Sequence, residues 1–166
     1  MSELTELHKT VVTAPGDTEI RTERIFDAPP ELIFECYSDP DLFSQWVGPE
    51  GLEMVVEEYD FQVGGNWRYL QRDPEGNEYV FFGEFRKIDP PNRLKQTFNF
   101  IMEPQPPAAI DEMDLIPIEG GQTRVVTVTT FEAKEYRDGM LQSGMEQGMD
   151  EGYAKLDRLL AERKAG

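Results

Sequence analysis

The stretch Thr123-Arg124-Val125-Val126-Thr127-Val128-Thr129-Thr130-Phe131 is the clearest strand in the chain. β-Branched residues fill it almost without a break, and they favour the pleated, extended backbone. Directly after it, over about residues 135–164, Leu141, Met145, Met149, Tyr153, Leu156 and Leu160 recur at steps of three or four. That spacing gathers side chains on one helix face. A long helix with a single apolar stripe needs a surface to cover it, and a sheet built on this strand supplies one.

Working outward, the upstream sequence predicts six more strands and two short helices. Residues 19–26 suit a strand, which Asp27-Ala28-Pro29-Pro30 stops because proline removes a ladder donor and fixes φ. Leu32, Ile33, Phe34 and Tyr37 then cluster at helical spacing. Asp39 as N-cap with Pro40 at the first helical position starts a second helix, whose buried side is Leu42, Phe43 and Trp46. Val47-Gly48-Pro49-Glu50-Gly51 ends the pair. Period-two patterns follow in Leu52, Met54 and Val56, and again in Trp67, Tyr69 and Gln71, with a turn at Asp73-Pro74-Glu75-Gly76-Asn77. Residues 78–88 form a long aromatic strand whose apolar parity shifts around Gly83, which predicts a bulge there. Strands over 94–100 and 111–118 complete a meander, with Glu119-Gly120-Gly121-Gln122 as the last hairpin turn. The expected fold is α+β: a curved antiparallel seven-stranded sheet, two short helices after its first strand, and a long C-terminal helix packed on it. Residues 1–17 carry no sustained period and read as a mobile arm, leaving 18–166 as a single domain.

Composition narrows the function. The chain has 166 residues, 39% hydrophobic and 30% charged, with ten Phe, six Tyr and two Trp, enough for a packed core. Thirty-three acids against sixteen bases give a formal charge of -17. Such a surface repels phosphate backbones and anionic leaflets, so neither nucleic acid nor membrane insertion is expected. The acidity serves solubility, adaptation to salt or a basic partner. Cys36 is the only cysteine and His8 the only histidine, which leaves no disulfide and no Cys/His zinc site. No apolar run reaches the length of a membrane span, and residues 1–16 lack the blocks of a secretory signal, so a cytoplasmic protein is expected.

Several motifs, in order, resemble a known superfamily. They are Arg24-Ile25-Phe26-Asp27-Ala28-Pro29 with Leu32-Ile33-Phe34, Trp46-Val47-Gly48-Pro49-Glu50-Gly51, and Gly64-Gly65-Asn66-Trp67. Gly83 with Asp89-Pro90-Pro91-Asn92-Arg93-Leu94, and Gly144-Met145-Glu146-Gln147-Gly148-Met149, continue the series. Over about residues 19–160 the chain resembles the START-like, or SRPBCC, superfamily with the helix-grip fold of the birch-pollen allergen type, in the branch related to the activator of heat-shock-protein ATPase. Where many members carry a Trp pair before the Gly-Pro, this chain has Trp46-Val47, a departure at the mouth of the implied pocket. The superfamily includes lipid carriers, polyketide cyclases and co-chaperone domains, so the resemblance implies the fold more narrowly than the activity.

A bent sheet wrapped around one helix leaves interior volume that becomes a pocket when side chains do not fill it. Trp46, Trp67, Tyr69, Phe81 and Phe98 supply its aromatic wall, with Met54 from a strand and Met145, Met149 and Tyr153 from the helix stripe. Gly144, Gly148 and Gly152 recur on the helix although each costs about 1 kcal/mol relative to Ala. Either the backbone there approaches the sheet closely or the missing side chains leave room for a ligand. Arg24 shares parity with Thr22 and either reaches the cavity, to hold an anionic head group, or sits at an exposed edge. Among strand acids Glu58, Asp60, Glu84, Glu112 and Asp114, one turned inward would have a raised pKa, and the rest would be solvated. The expected ligand-binding set is therefore Arg24, Trp46, Met54, Trp67, Tyr69, Phe81, Phe98, Met145, Met149 and Tyr153. No nucleophile elbow, phosphate loop, dinucleotide fingerprint or EF-hand loop is present, and no catalytic residue, metal ligand or cofactor is assigned. Binding of a small hydrophobic or amphipathic molecule leads the functional readings. A co-chaperone-like protein-binding module and a polyketide cyclase or hydrolase are the alternatives.

Overall fold

Proline punctuation and strand-forming runs place the elements where local chemistry dictates. The computed structural model describes residues 8–165. In chain order its elements are β1 (Val11–Thr13), β2 (Glu19–Phe26), α1 (Pro30–Ser38), α2 (Pro40–Phe43), β3 (Glu53–Tyr59), β4 (Asn66–Arg72) and β5 (Glu78–Asp89). There follow β6 (Arg93–Phe100), β7 (Ala109–Ile118), β8 (Gln122–Thr130), α3 (Lys134–Gln142) and α4 (Met145–Ala165). The cap of α2 is as expected: the Asp39 side chain accepts from the Asp41 N–H, and Pro40 opens the helix.

The strands form one antiparallel sheet in the order β1-β2-β8-β7-β6-β5-β4-β3. After β2, α1 and α2 carry the chain to the far edge, and β3 to β8 return strand by strand until β8 pairs with β2. Register shifts between Val56 and Glu58 on β3, and between Phe85 and Lys87 on β5, bend the sheet. The concave face carries the core. Phe26, Phe85, Leu94, Met113, Leu115 and Val125 from the strands meet Ile33 and Phe34 of α1 and Tyr153, Leu156, Leu159 and Leu160 of α4. Leu156 is fully buried there, and truncation of such a side chain to Ala costs about 2–5 kcal/mol. This is the helix-grip fold.

Three expectations need correction. The sheet has eight strands among the described residues, not seven, because Val11–Thr13 pairs with Arg21–Glu23 inside the segment read as an arm. Three residues are too few to show a period. The His8 N–H also donates to the Ile25 carbonyl, tying this segment down; residues 1–7 lie outside the described residues. Second, the C-terminal helix is broken. Gly144 adopts φ +86, which ends α3 and turns the chain into α4. Met140 and Leu141 of α3 can then join Met145 around a second, smaller cluster of Ile20, Ala109 and Phe131. Third, the bulge of β5 falls at Arg86 rather than around Gly83. Gly83 is small for another reason: a Cβ there would lie 2.1 Å from the Thr97 carbonyl oxygen and 2.7 Å from the Trp67 indole.

Candidate functional site on the concave face

Cross-strand pairing identifies the inward side chains. The two apolar clusters occupy opposite ends of this face, and a polar belt crosses it between them. On β2, Thr22 and Arg24 lie between Ile20 and Phe26; on β8, Thr127 and Thr129 lie between Val125 and Phe131; on β7, Asp111 lies between Ala109 and Met113; on β6, Gln96 lies between Leu94 and Phe98. The register makes the belt continuous, pairing Thr22 with Thr127, Thr129 with Asp111, and Asp111 with Gln96. Thr129 Oγ1 donates to Asp111 Oδ1 at 2.6 Å, and Gln96 Nε2 donates to Oδ2 at 3.4 Å.

Asp111 is the inward acid, and it was not among those singled out from the sequence. Its signal lay in the alternation Ala109, Asp111, Met113, Leu115, which puts it on the apolar parity. Glu112 and Asp114 point the other way, to Arg93, and Glu84 pairs with Arg86. Burial pushes the Asp111 carboxyl up from its ordinary value, partly countered by the hydrogen bonds from Thr129 and Gln96. Burial and the charge of Asp111 together push the Tyr69 hydroxyl up, and burial does the same to Tyr153, whose hydroxyl faces that of Tyr37.

The expected residues divide into groups. Trp67, Tyr69, Phe81 and Phe98 form one aromatic wall, with ring centroids 5.5 Å apart for Trp67–Tyr69, 5.3 Å for Tyr69–Phe81 and 5.7 Å for Phe81–Phe98. Phe81 and Phe98 are only half-buried, and the Trp67 indole N–H is buried without a hydrogen-bond partner among the described residues. Trp46 and Tyr153 stack at 6.2 Å in the core, and the Trp46 N–H donates to the Cys36 carbonyl at 3.1 Å. Arg24 is buried beside them, but Asp157 of α4 takes its guanidinium at 2.8 and 2.6 Å, so the place expected for an anionic head group is filled by the chain's own carboxylate. Met149 is half-buried against the main cluster, while Met145 packs in the smaller one. Met54, paired with Gln71, is half-buried against the main cluster and also lines a groove of about 490 Å³ along β3, the edge strand.

The three helix glycines also separate. Gly144 makes the turn, Gly148 would place a Cβ 3.7 Å from Pro49, and at Gly152 a Cβ would lie 3.0 Å from the Trp46 carbonyl oxygen. Close approach is thus made to the loop after α2 rather than to the sheet. Among the described residues no group of three or more His, Cys, Asp or Glu is placed to hold a metal ion, and no helix is long and apolar enough to cross a membrane.

Residues 27–161 match the model of the family described as activator of Hsp90 ATPase homolog 1-like protein. The chain belongs to this family. Solved structures agree with the assignment. A Rhodobacter sphaeroides protein is 26% identical with a TM-score of 0.84, over 92% of this chain and 99% of that one. The solution structure of an Arthrobacter aurescens protein is 27% identical with a TM-score of 0.81, over 92% and 91% of the two chains. The AHSA1 protein from Silicibacter pomeroyi is 25% identical with a TM-score of 0.71, over 87% and 99%. None of the curated proteins matches. Family membership carries the helix-grip fold with it and leaves the activity to be argued from the concave face.

Proposed function

We propose that this protein binds a small hydrophobic or amphipathic molecule on the concave face, between the curved sheet and α4. One observation carries the reading: Phe81 and Phe98 are half-buried although they point inward, beside a polar belt in which Asp111 makes no ion pair among the described residues. Apolar walls with a few convergent polar groups are the ordinary chemistry of a small-molecule site. The ligand-binding set is Trp67, Tyr69, Phe81, Phe98, Met149 and Tyr153, with Asp111, Gln96 and Thr129 as the polar groups. Arg24, Trp46, Met54 and Met145 shape or border this set. The protein acts in the cytoplasm, without a bound cofactor.

Native mass spectrometry of protein purified from the cells that make it, combined with titration by the neutral dye Nile red, tests this. The expected result is a small-molecule adduct or one saturable dye site per chain. That site should weaken in Phe98→Trp and persist in Ile116→Ser, which lies on the convex face. Absence of both adduct and saturable dye binding overturns the proposal.

Two further readings each have one supporting observation. The inward Asp111, near the Tyr69 and Tyr153 hydroxyls, supplies the acid or base that a cyclase or hydrolase of polyketide-like substrates requires. The family description supports a co-chaperone-like module that binds a chaperone. Turnover lost in Asp111→Asn is the expected result of the first, and stimulation of a chaperone's ATPase rate by the purified chain is that of the second.

A further inference from the structure

The inward parity of the described strands carries one carboxylate, Asp111, and one cation, Arg24, and the two do not neutralise each other. Arg24 is held by Asp157. Asp111 has only the neutral donors Thr129 and Gln96, and it makes no ion pair among the described residues. A carboxylate accepts at about four lone-pair positions, so Asp111 retains open acceptor capacity. It is also incompletely covered, although its neighbours on β7 at the same parity, Ala109 and Met113, are buried. An uncompensated carboxylate in such a place is unfavourable, and it either takes up a proton or pairs with a cation from outside the chain.

The surroundings suit a cation. Phe98 pairs across the strands with Ala109, one inward position from Asp111, and Tyr69 and Tyr153 are close enough for the Asp111 charge to act on their hydroxyls. Aromatic faces attract ammonium groups through the ring quadrupole. The formal charge of -17 raises the local concentration of cations and lowers that of anions. We propose that the concave face selects an organic cation, a protonated amine on an apolar or aromatic body, whose N–H groups donate to Asp111 while the body lies along Tyr69, Phe81 and Phe98. This rests on the ligand-binding reading above and names the class of ligand.

The pH dependence has a definite sign. The charge of Asp111 acts on Tyr69 from β4 and Tyr153 from α4, and Arg24 and Asp150 also act on Tyr153. Burial favours the neutral carboxyl when the site is empty, whereas a seated ammonium favours the carboxylate. Binding therefore releases a proton and tightens as pH rises through the Asp111 titration.

The test compares 4-phenylbutylamine, 4-phenylbutan-1-ol and 4-phenylbutanoate by isothermal titration calorimetry at pH 7.5. High salt screens the net charge of the surface. The amine is expected to bind roughly tenfold to a hundredfold more tightly than the alcohol, the range of a charge-assisted hydrogen bond, with the carboxylate weakest. Asp111→Asn and Asp111→Ser, each first checked for a cooperative thermal melt, are expected to bring amine and alcohol to comparable affinity. Equal affinities in the wild type, or an amine preference that survives both substitutions, overturns the inference and leaves the ligand site standing. Failure of all three probes to bind while Nile red still occupies one saturable site overturns this inference alone; loss of adduct and dye binding as well overturns the ligand-binding reading with it.

Discussion

The guanidinium of Arg24 on β2 spans both carboxylate oxygens of Asp157 on α4, at 2.8 and 2.6 Å, and so fastens the helix to the sheet across 133 residues of sequence. The guanidinium carbon also lies 4.6 Å from the Phe26 ring centroid and 5.5 Å from that of Tyr153. Removing one partner of a buried pair leaves the other charge uncompensated, typically at about 3–5 kcal/mol. Asp157→Ala is expected to fall at the lower end, because that carboxylate retains 21% of its side-chain exposure while Arg24 retains 5%. Arg24→Met should cost less, since it leaves the more exposed partner behind. Urea unfolding midpoints of the two variants, at unchanged slope, check the order.

Gly148 and Gly152 make a matched pair on α4. A Cβ at 148 meets only Pro49 at 3.7 Å, an ordinary contact, so Gly148→Ala should stabilise by about 0.5–1 kcal/mol through helix propensity. At 152 the same methyl would lie 3.0 Å from the Trp46 carbonyl oxygen and 3.3 Å from the Gly48 nitrogen. Gly152→Ala is therefore expected to destabilise despite the same gain in propensity. Thermal melts showing both variants shifted in one direction would contradict this.

Asp111 makes stability depend on pH in the sense opposite to a salt-bridged acid. Burial raises its folded-state pKa, so between the unfolded carboxyl value, about 3.9, and the raised folded value the folded chain binds more protons than the unfolded one. Its contribution is fully present below the unfolded value and is lost as pH rises through the folded one. Other carboxyls, among them Asp73 and Asp138, are shifted down by their hydrogen bonds and act the other way. The difference between Asp111→Asn and wild type isolates the effect: the variant should gain in relative stability across that window and hold the gain above it. A flat difference in denaturant titrations from pH 3 to 9 would rule this out.

Cys36 is fully buried on α1, and burial pushes its thiol up to about 11. At pH 8 only roughly one thiol in a thousand is then ionised, before lack of access is counted. Labelling by a disulfide reagent is expected to be slow in the native state and fast in 6 M guanidinium. Rapid stoichiometric labelling of the folded protein would show that α1 opens.

Local periodicity made most elements legible. The β-branched run of β8, the proline stops around α1 and α2 and the Asp39 cap act within a few residues, so they could be read directly. The break at Gly144 was harder to see, because Leu141, Met145 and Met149 keep helical spacing across it; only the separate clusters taken up by α3 and α4 require a turn there. The parity shift along β5 signals a real bulge but does not fix its position, which falls at Arg86; Gly83 is small for a distant cause, the Trp67 ring laid over it from β4.

By itself the sequence determined which residues are apolar, at what period they recur and where the chain must turn, since these depend on covalent geometry and near neighbours. Tertiary structure alone decided that Arg24 meets Asp157, that Trp67 lies on Gly83, and that Asp111 makes no ion pair among the described residues. Those outcomes depend on strand register and on where α4 comes to rest along the sheet. Both are set by the summed packing of residues far apart in the chain, which no local pattern encodes.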